Sequence, residues 1–139
     1  MNVHLRPAKL EDVDPVVHLL AEAELLSYPE VDGPEALRRT LASPCAVWLV
    51  AVGPEGAVVG SVRGNWDGSR ALLQQIVVAR SARRQGIGKL LTEGIVASFG
   101  ERGAPTVAVT VSPESVGFFA ALGFLKTPIT LMLRSLPRA

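Results

Sequence analysis

The sequence predicts a mixed α/β fold, with six strands in one sheet and four helices around it. Three observations support this class. β-rich runs separated by short turns follow one another between residues 46 and 78. A strand, a basic glycine-containing turn and a helix succeed one another in residues 72–91, and residues 106–111 form another apolar run behind that helix. Because a helix connects these last two strands, we expect them to pair in parallel.

Composition limits the class of protein before any motif is considered. The chain has 139 residues, enough for one domain spanning residues 1–139 with its own core. A formal net charge of +1, from 14 basic and 13 acidic residues, argues against nucleic acid as a partner. No apolar stretch approaches the ~20 residues that span a membrane, so we expect no membrane association. The single cysteine and the absence of a secretory signal in residues 1–10 indicate a cytoplasmic location.

The first elements are one strand and two helices. Residues 3–6 alternate like a strand that ends at Pro7. Acidic residues and Pro15 mark the start of a helix whose apolar stripe runs from Val16 to about Leu26. Pro34 opens a second helix, which ends at the Ser43-Pro44 break.

Three antiparallel strands come next. Residues 46–52 and 57–66 are β-rich runs separated by the four-residue turn 53–56. A second turn, residues 67–70, leads into a third run at residues 71–78. Short turns of this kind join neighbouring strands, so we predict an antiparallel meander.

The turn that follows predicts a phosphate site. Gly86 and Gly88 lack side chains that would keep a ligand from the backbone, and they open a helix that reaches about Gly100. A helix N-terminus carries partial positive charge. Fixed cations surround it at Arg80, Arg83, Arg84 and Lys89. A phosphate or pyrophosphate is the expected occupant.

Two other phosphate-binding designs do not fit this turn. In a P-loop, the position five before Gly88 would be glycine and the residue after Lys89 would be Ser or Thr, but they are Arg83 and Leu90. In a dinucleotide fingerprint, a third glycine would stand at Leu91. The strand also comes more than halfway along the chain, instead of at its start.

The C-terminal part predicts three further elements. Residues 106–111 read as a buried strand, parallel to its predecessor. Residues 115–124 form a short helix with a glycine cap at Gly123. Residues 128–134 are strand-like.

The chain resembles the GNAT family of N-acetyltransferases. Residues 83–88, Arg-Arg-Gln-Gly-Ile-Gly, match the R/Q-x-x-G-x-G/A signature with which that family holds the pyrophosphate of coenzyme A. The closing Leu122-Gly123-Phe124, the Arg6-Pro7-Ala8 opening with Asp12 downstream, and the order of elements match as well. The resemblance implies a mixed central sheet of about six to seven strands flanked by four helices, with a V-shaped splay between the fourth and fifth strands.

The same resemblance implies which residues bind acetyl-CoA, the acetyl donor. The backbone of the fourth strand, at Ile76, Val77 and Val78, would pair with the pantetheine arm in the splay. The pyrophosphate would lie on the turn and the first helical residues. These are Arg83, Arg84, Gln85, Gly86, Ile87, Gly88 and Lys89.

The chain departs from the family at its catalytic positions. Phe119 occupies the place of the tyrosine that commonly protonates the departing thiolate, and Ser112 stands where an asparagine is frequent. The strand that often supplies a glutamate base reads Leu72-Leu73-Gln74-Gln75 and has no carboxylate. The family's proline after Val78 is Arg80. We therefore assign no catalytic residue from the sequence.

Several residues have both a functional and a structural interpretation. Glu24, Tyr28, Trp66 and Gln74 are candidates for the acceptor site, although a solvated helix face and aromatic packing explain the first three as well. Cys45 could be a nucleophile, but without a placed base we expect a buried structural thiol. His4 and His18 have no ligand set at metal spacing, so we predict no metal site.

The function implied by the resemblance is transfer of an acetyl group from acetyl-CoA to a primary amine of an unidentified acceptor. The missing tyrosine and glutamate keep a second function open, a non-catalytic acyl-CoA-binding or regulatory module. The sequence also leaves a homodimer open.

Overall fold

The computed structural model describes residues 2–26 and 28–137. It divides into two compact units, Met1–Val109 and Thr110–Ala139. The first unit contains the whole sheet and the second contains one short helix.

The sheet has five strands in sequential order. They are β1 (His4–Pro7), β2 (Ala46–Val52), β3 (Val58–Trp66), β4 (Ala71–Val78) and β5 (Val107–Val109). Neighbours from β1 to β4 pair antiparallel, whereas β5 pairs with β4 in parallel. The mixed sheet and the antiparallel meander are therefore confirmed.

The helices follow the predicted order. They are α1 (Val13–Glu22), a single turn α2 (Pro29–Asp32), α3 (Pro34–Ala42), α4 (Ile87–Glu101) and, in the second unit, α5 (Val116–Ala121). Helix α1 ends earlier than its apolar stripe predicts, because Glu24 adopts a left-handed conformation with φ 60°. No helix of the described chain is long and apolar enough to cross a membrane.

Helices cover both faces of the sheet. On one face α4 packs closely against β3, where a Cβ at Gly60 would meet Leu91 and one at Gly64 would meet Phe99. Strand alternation directs Ser61 and Arg63 to the opposite face, and Arg63 contacts α2 there. The core of the first unit includes the fully buried Leu20, Leu37, Val50, Val62, Leu73, Leu91, Ile95 and Phe99.

An ion pair fixes the start of α1. Arg6, on β1, donates through Nη1 and Nη2 to the two carboxylate oxygens of Asp12, at 2.7 and 2.9 Å. The backbone N–H of Lys9 also donates to Asp12, at 2.7 Å. Burial would raise the pKa of Asp12, but these hydrogen bonds and the charge of Arg6 outweigh it and lower the pKa.

Two predictions about the C-terminal strands are wrong. Residues 128–134 form no strand, and Ile129, Leu131 and Leu133 are exposed. Alternation alone does not make a strand, since each strand needs a hydrogen-bonded neighbour, and the described residues supply none there. The predicted buried strand at 106–111 is only three residues long, with Ala108 exposed. The expected strand count of six to seven is thus too high for the described chain.

Candidate functional site

The turn between β4 and α4 has an unusual backbone. After a 3-10 turn at Arg80–Ala82, Arg83 is extended, Arg84 has φ 65° and Gly86 has φ 77°. A left-handed conformation at a residue with a side chain costs roughly 1–3 kcal/mol and is frequent at ligand sites. A Cβ built on Gly86 would meet no atom within 4 Å, so this side of the turn is open.

The first helical turn presents backbone donors to that open side. Leu90 N–H donates to the carbonyl of Gly86 at 3.0 Å. The N–H groups of Ile87, Gly88 and Lys89 precede it and have no intrahelical acceptor. No other acceptor among the described residues contacts them. These three donors lie at the positive end of a 15-residue helix, an arrangement that suits an anion.

The cations around the turn divide into two groups. Arg83, Arg84 and Lys89 are exposed, and within the described part of the chain none of them pairs with a carboxylate. Arg80 is committed to α1, because its backbone N–H donates to Glu22 Oε1 and its guanidinium donates to the Glu22 carbonyl, both at 2.8 Å. A proline at this position would lack the first of these hydrogen bonds. Arg80 is therefore a structural link rather than a free cation of the turn.

The strand that leads to the turn has one unpaired edge. Ile76, Val77 and Val78 lie opposite Val62, Ser61 and Gly60 of β3. Pairing with β5 stops at Leu73, which lies opposite Val109. In the described residues no strand lies beside the other edge of β4 from residue 74 to 78. Such an edge offers N–H and C=O groups to an extended ligand that contains amides. At its end, the carbonyl of Val78 accepts a hydrogen bond of 3.4 Å from Arg83 Nε.

A β-bulge, which no pattern in the sequence predicts, interrupts β4 beside this edge. Arg63 lies opposite Gln75, whereas the next residue, Gly64, lies opposite Leu73. Gln74 is the extra residue, and its side chain is exposed. Bulges redirect side chains next to active sites.

The four acceptor candidates are not brought together. Glu24 and Tyr28 are exposed in the segment between α1 and α2, and Trp66 lies opposite Ala71, at the other end of β4 from Val78. Among the described residues, no hydrogen bond or ion pair joins any of them to Gln74. Cys45, which was expected to be buried, is a half-buried free thiol.

A polar cluster on the sheet face was also missed. Arg63 donates to Asp32 Oδ1 at 2.5 Å and to Gln75 Oε1 at 3.0 Å, and Gln75 Nε2 donates to Asp32 Oδ1 at 2.8 Å. Burial lowers the pKa of the Arg63 guanidinium, while the carboxylate of Asp32 acts in the opposite direction. An arginine inside an apolar β-run is the one signal in the sequence that indicates a buried partner.

The comparison with known families decides the identity of the fold. The sequence model of the acetyltransferase (GNAT) family matches residues 14–124, which include the open turn and the Leu122-Gly123-Phe124 motif. The chain belongs to the GNAT family. The predicted family and fold class are confirmed.

Relatives and solved structures agree with this family. The chain is 34% identical over 97 residues to serotonin N-acetyltransferase 2, chloroplastic, of Oryza sativa subsp. japonica, covering 68% of this chain and 48% of that protein. It thus spans about half the length of that curated relative. A transcriptional regulator from Bacillus halodurans C-125 superposes with a TM-score of 0.83 at 24% identity, over 96% of this chain and 100% of the other. The aminoglycoside N-acetyltransferase AAC(6')-Iy in complex with CoA superposes with a TM-score of 0.80 at 18% identity, over 96% and 95%.

Phe119, which the resemblance places at the position of the family's tyrosine, lies in the second unit. Phe119 is buried there, and its ring packs edge-on against Phe118 and Phe124, with centroids 5.0 and 5.5 Å apart. Ser112 and Ser115 share a side-chain hydrogen bond of 3.4 Å. Phe119 is thus part of an aromatic cluster and has no group that can donate a proton.

Proposed function

We propose that the chain transfers an acetyl group from acetyl-CoA to a primary amine. The observation that carries the proposal is the open turn after β4, where three free N–H groups and three exposed cations without a carboxylate partner in the described residues lie at the end of a strand with an open edge. This arrangement suits a donor with a pyrophosphate at one end and an amide-containing arm at the other.

The residues that would hold the donor follow from this placement. The N–H groups of Ile87, Gly88 and Lys89 would bind the pyrophosphate, with Arg83, Arg84 and Gln85 beside it. Gly86 leaves the space open, as a side chain there would occupy it. The edge of Ile76 to Val78 would pair with the pantetheine arm.

The chemistry needs no metal and no covalent enzyme intermediate. The amine nitrogen attacks the thioester carbonyl carbon, a C–N bond forms and the C–S bond breaks, and the sulfur leaves as a thiolate. A backbone N–H of the Ile76 to Val78 stretch donates to the carbonyl oxygen and stabilises its negative charge. Water accepts the proton that the nitrogen loses, since the chain offers no carboxylate on β4.

Two further observations support an amine as acceptor. The names of the rice relative and of the aminoglycoside enzyme both denote N-acetylation. In addition, residues 10–37 contain no lysine or arginine and hold eight of the 13 acidic residues. These eight are Glu11, Asp12, Asp14, Glu22, Glu24, Glu30, Asp32 and Glu35. Asp12, Glu22 and Asp32 are bonded to arginines, so the other acidic residues of this stretch carry its negative field, whose sign attracts a protonated amine. Glu24, Tyr28, Trp66 and Gln74 stay candidates for contact with it.

A second function has one observation in its favour. Phe119 is buried in an aromatic cluster, so the position of the usual acid is filled by packing. A non-catalytic acyl-CoA-binding module would tolerate that replacement.

Release of free thiol from acetyl-CoA in the presence of an amine panel separates the two functions. The panel contains serotonin-like arylalkylamines, aminoglycosides, polyamines and lysine-containing peptides. The proposal predicts thiol release above spontaneous hydrolysis with at least one amine. Binding of acetyl-CoA without any such release would favour the binding module.

A further inference from the structure

The segment that joins α1 to α3 is attached to the β4 region at both ends. At its start, Glu22 binds Arg80, the second residue after β4, through two hydrogen bonds of 2.8 Å. At its end, Asp32 Oδ1 accepts from both Arg63 and Gln75. Arg63 also donates to the carbonyl of Val31 at 3.3 Å. The residues that join the two helices, 23–26 and 28–33 in the described chain, are called the connecting segment below.

The second attachment depends on Asp32. The side chain of Arg63 is only 10% exposed, and Asp32 is its one ion-pair partner in the described residues. A buried guanidinium without a carboxylate is strongly unfavourable, so Arg63 and Asp32 hold each other in place. Hydrogen bonds between charged groups are also the stronger kind.

This attachment lies beside the part of β4 that the proposed function uses. Gln75 directly precedes Ile76 and directly follows the bulged Gln74. Both polar ends of the Gln75 side chain are occupied, one by Arg63 and the other by Asp32. Gln75 therefore orients the connecting segment and is not free to bind a substrate.

We propose that Asp32 is a positioning residue for the acceptor, holding the connecting segment against β4 as one wall of the acceptor site. This inference rests on the proposed function. Acetyl-CoA would use the open turn and the strand edge, neither of which contacts Asp32. The two substrates should therefore respond differently when Asp32 is changed.

The test compares Asp32→Ala and Asp32→Asn with wild type in steady-state kinetics and in calorimetric titration with acetyl-CoA. For Asp32→Ala we expect KM for the amine to rise at least ~10-fold, because a wall that is no longer fixed binds the amine less well. KM and Kd for acetyl-CoA should change less than ~3-fold, which is below 1 kcal/mol. Asp32→Asn keeps an acceptor oxygen and should fall between wild type and Asp32→Ala.

The matched control is Glu101→Ala, which removes an exposed carboxylate from the C-terminal end of α4, outside the acidic stretch of residues 10–37. It should leave both KM values unchanged. Equal effects of Asp32→Ala on the two substrates, or no effect on either, would overturn the proposal. If Asp32→Ala does not fold, the double variant Asp32→Ala/Arg63→Met removes both charges, and the amine KM should still be raised in it.

Limited digestion with a protease that cleaves after glutamate separates this inference from the proposed function. Glu24 and Glu30 lie in the connecting segment, and we expect Asp32→Ala to be cleaved there at least ~10-fold faster than wild type if the segment is released. Unchanged cleavage would overturn the attachment. If wild type releases no thiol with any amine, the acceptor role fails with the proposed function, while faster cleavage would show that Asp32 still holds the segment.

Discussion

A side chain added at Gly88 should weaken the binding of acetyl-CoA directly. Gly88 is half-buried in the first turn of α4, between two of the three free N–H groups. In Gly88→Glu, a carboxylate would compete with the pyrophosphate for these donors, and each charge-assisted hydrogen bond lost is worth roughly 1.5–3 kcal/mol. We expect acetyl-CoA affinity to fall at least ~10-fold in calorimetric titration.

Gly100→Glu provides the matched control, because Gly100 lies near the other end of the same helix and faces open space. It adds the same charge far from the turn and should keep the affinity of wild type. A folded Gly88→Glu protein that binds acetyl-CoA normally would exclude the turn as the donor site.

Asp12 links the first strand to the first helix, and its charge should stabilise the fold. Its pKa is lowered in the folded protein, so the ionised carboxylate is favoured there. The stabilisation is complete above the unfolded pKa of about 4 and is lost as pH falls through the lower folded pKa. Asp12→Asn should reduce the free energy of unfolding by about 1.5–3 kcal/mol at pH 7.

Urea denaturation of wild type and Asp12→Asn at several pH values measures this difference. The difference in unfolding free energy between the two proteins should narrow below about pH 4, where the Asp12 carboxylate of the unfolded chain begins to protonate. A gap that stays constant from pH 7 to pH 2 would mean that the charge of Asp12 contributes nothing.

Phe119 tests whether the reaction needs a side-chain acid. An alkyl thiol has a pKa near 8.5, so the sulfur can leave as the anion, whereas an amine of pKa near 10.4 is almost fully protonated at pH 7. We therefore expect kcat/KM to rise with pH through the acceptor's range. Phe119→Tyr should change it less than ~10-fold, although a positioned acid can contribute 10²–10⁴-fold to reactions with poor leaving groups.

The pH–rate profile is measured on wild type, on Phe119→Tyr and on the control Phe118→Tyr, since residue 118 is 42% exposed. All three must first be shown to fold, because the Phe119 ring is buried. A gain of ~100-fold or more for Phe119→Tyr alone would show that thiolate departure limits the natural protein.

Site residues that are neighbours in the sequence could be predicted, whereas residues that meet only in the folded structure could not. The open turn is encoded in six consecutive residues, 83–88, so its glycines and cations were found from sequence. Asp32 lies 31 residues from Arg63 and 43 from Gln75. Nothing local in the sequence pairs such residues, because the fold alone brings them into contact.

At the scale of elements, glycines set how closely α4 approaches the sheet. A Cβ on Gly64 would overlap the carbonyl oxygen of Leu72 and come within 2.8 Å of the Phe99 ring. A backbone carbonyl in a strand cannot move away easily. Gly64→Ala should therefore lower the free energy of unfolding by about 1–3 kcal/mol.

Gly100→Ala separates this crowding from the general effect of replacing glycine. Gly100 is helical and a Cβ there meets nothing, so the change should stabilise by about 0.5–1 kcal/mol. Chemical denaturation measures both variants. Equal stability changes for the two would contradict the close packing of α4 on β3.

Strand boundaries were predictable where the chain itself marks both ends. β2 has the predicted bounds, because Pro44 precedes it and Gly53 follows it, and β4 has the predicted bounds between the turn at residues 67–70 and the basic turn that follows it. Two features of the sheet were not predictable in this way. The bulge at Gln74 arises from the register between two strands, and residues 128–134 have strand-like alternation without a neighbouring strand.

For the whole molecule, the fold class followed from the order of elements, while the division into two units did not. Few contacts define the second unit. The apolar residues after Phe124 are exposed, and no pattern in the sequence predicts a partner for them. The charge distribution, in contrast, can be read from the sequence, since the stretch 10–37, whose charged residues are all acidic, is separate from the basic turn at residues 80–89.

Ligand-dependent stability of the whole molecule gives the last prediction. A ligand that binds only the folded state adds about 2.7 kcal/mol of stability at 100 times its Kd. For a chain of this size, that should raise Tm by roughly 5–10 °C. CoA has the pyrophosphate and the amide arm that fit the turn and the strand edge, whereas ATP and NAD lack the arm. CoA should therefore raise Tm at concentrations where ATP and NAD do not, and Gly88→Glu should lose most of the shift. A larger shift with ATP or NAD than with CoA would mean that phosphate binding alone, without the edge of β4, accounts for the site.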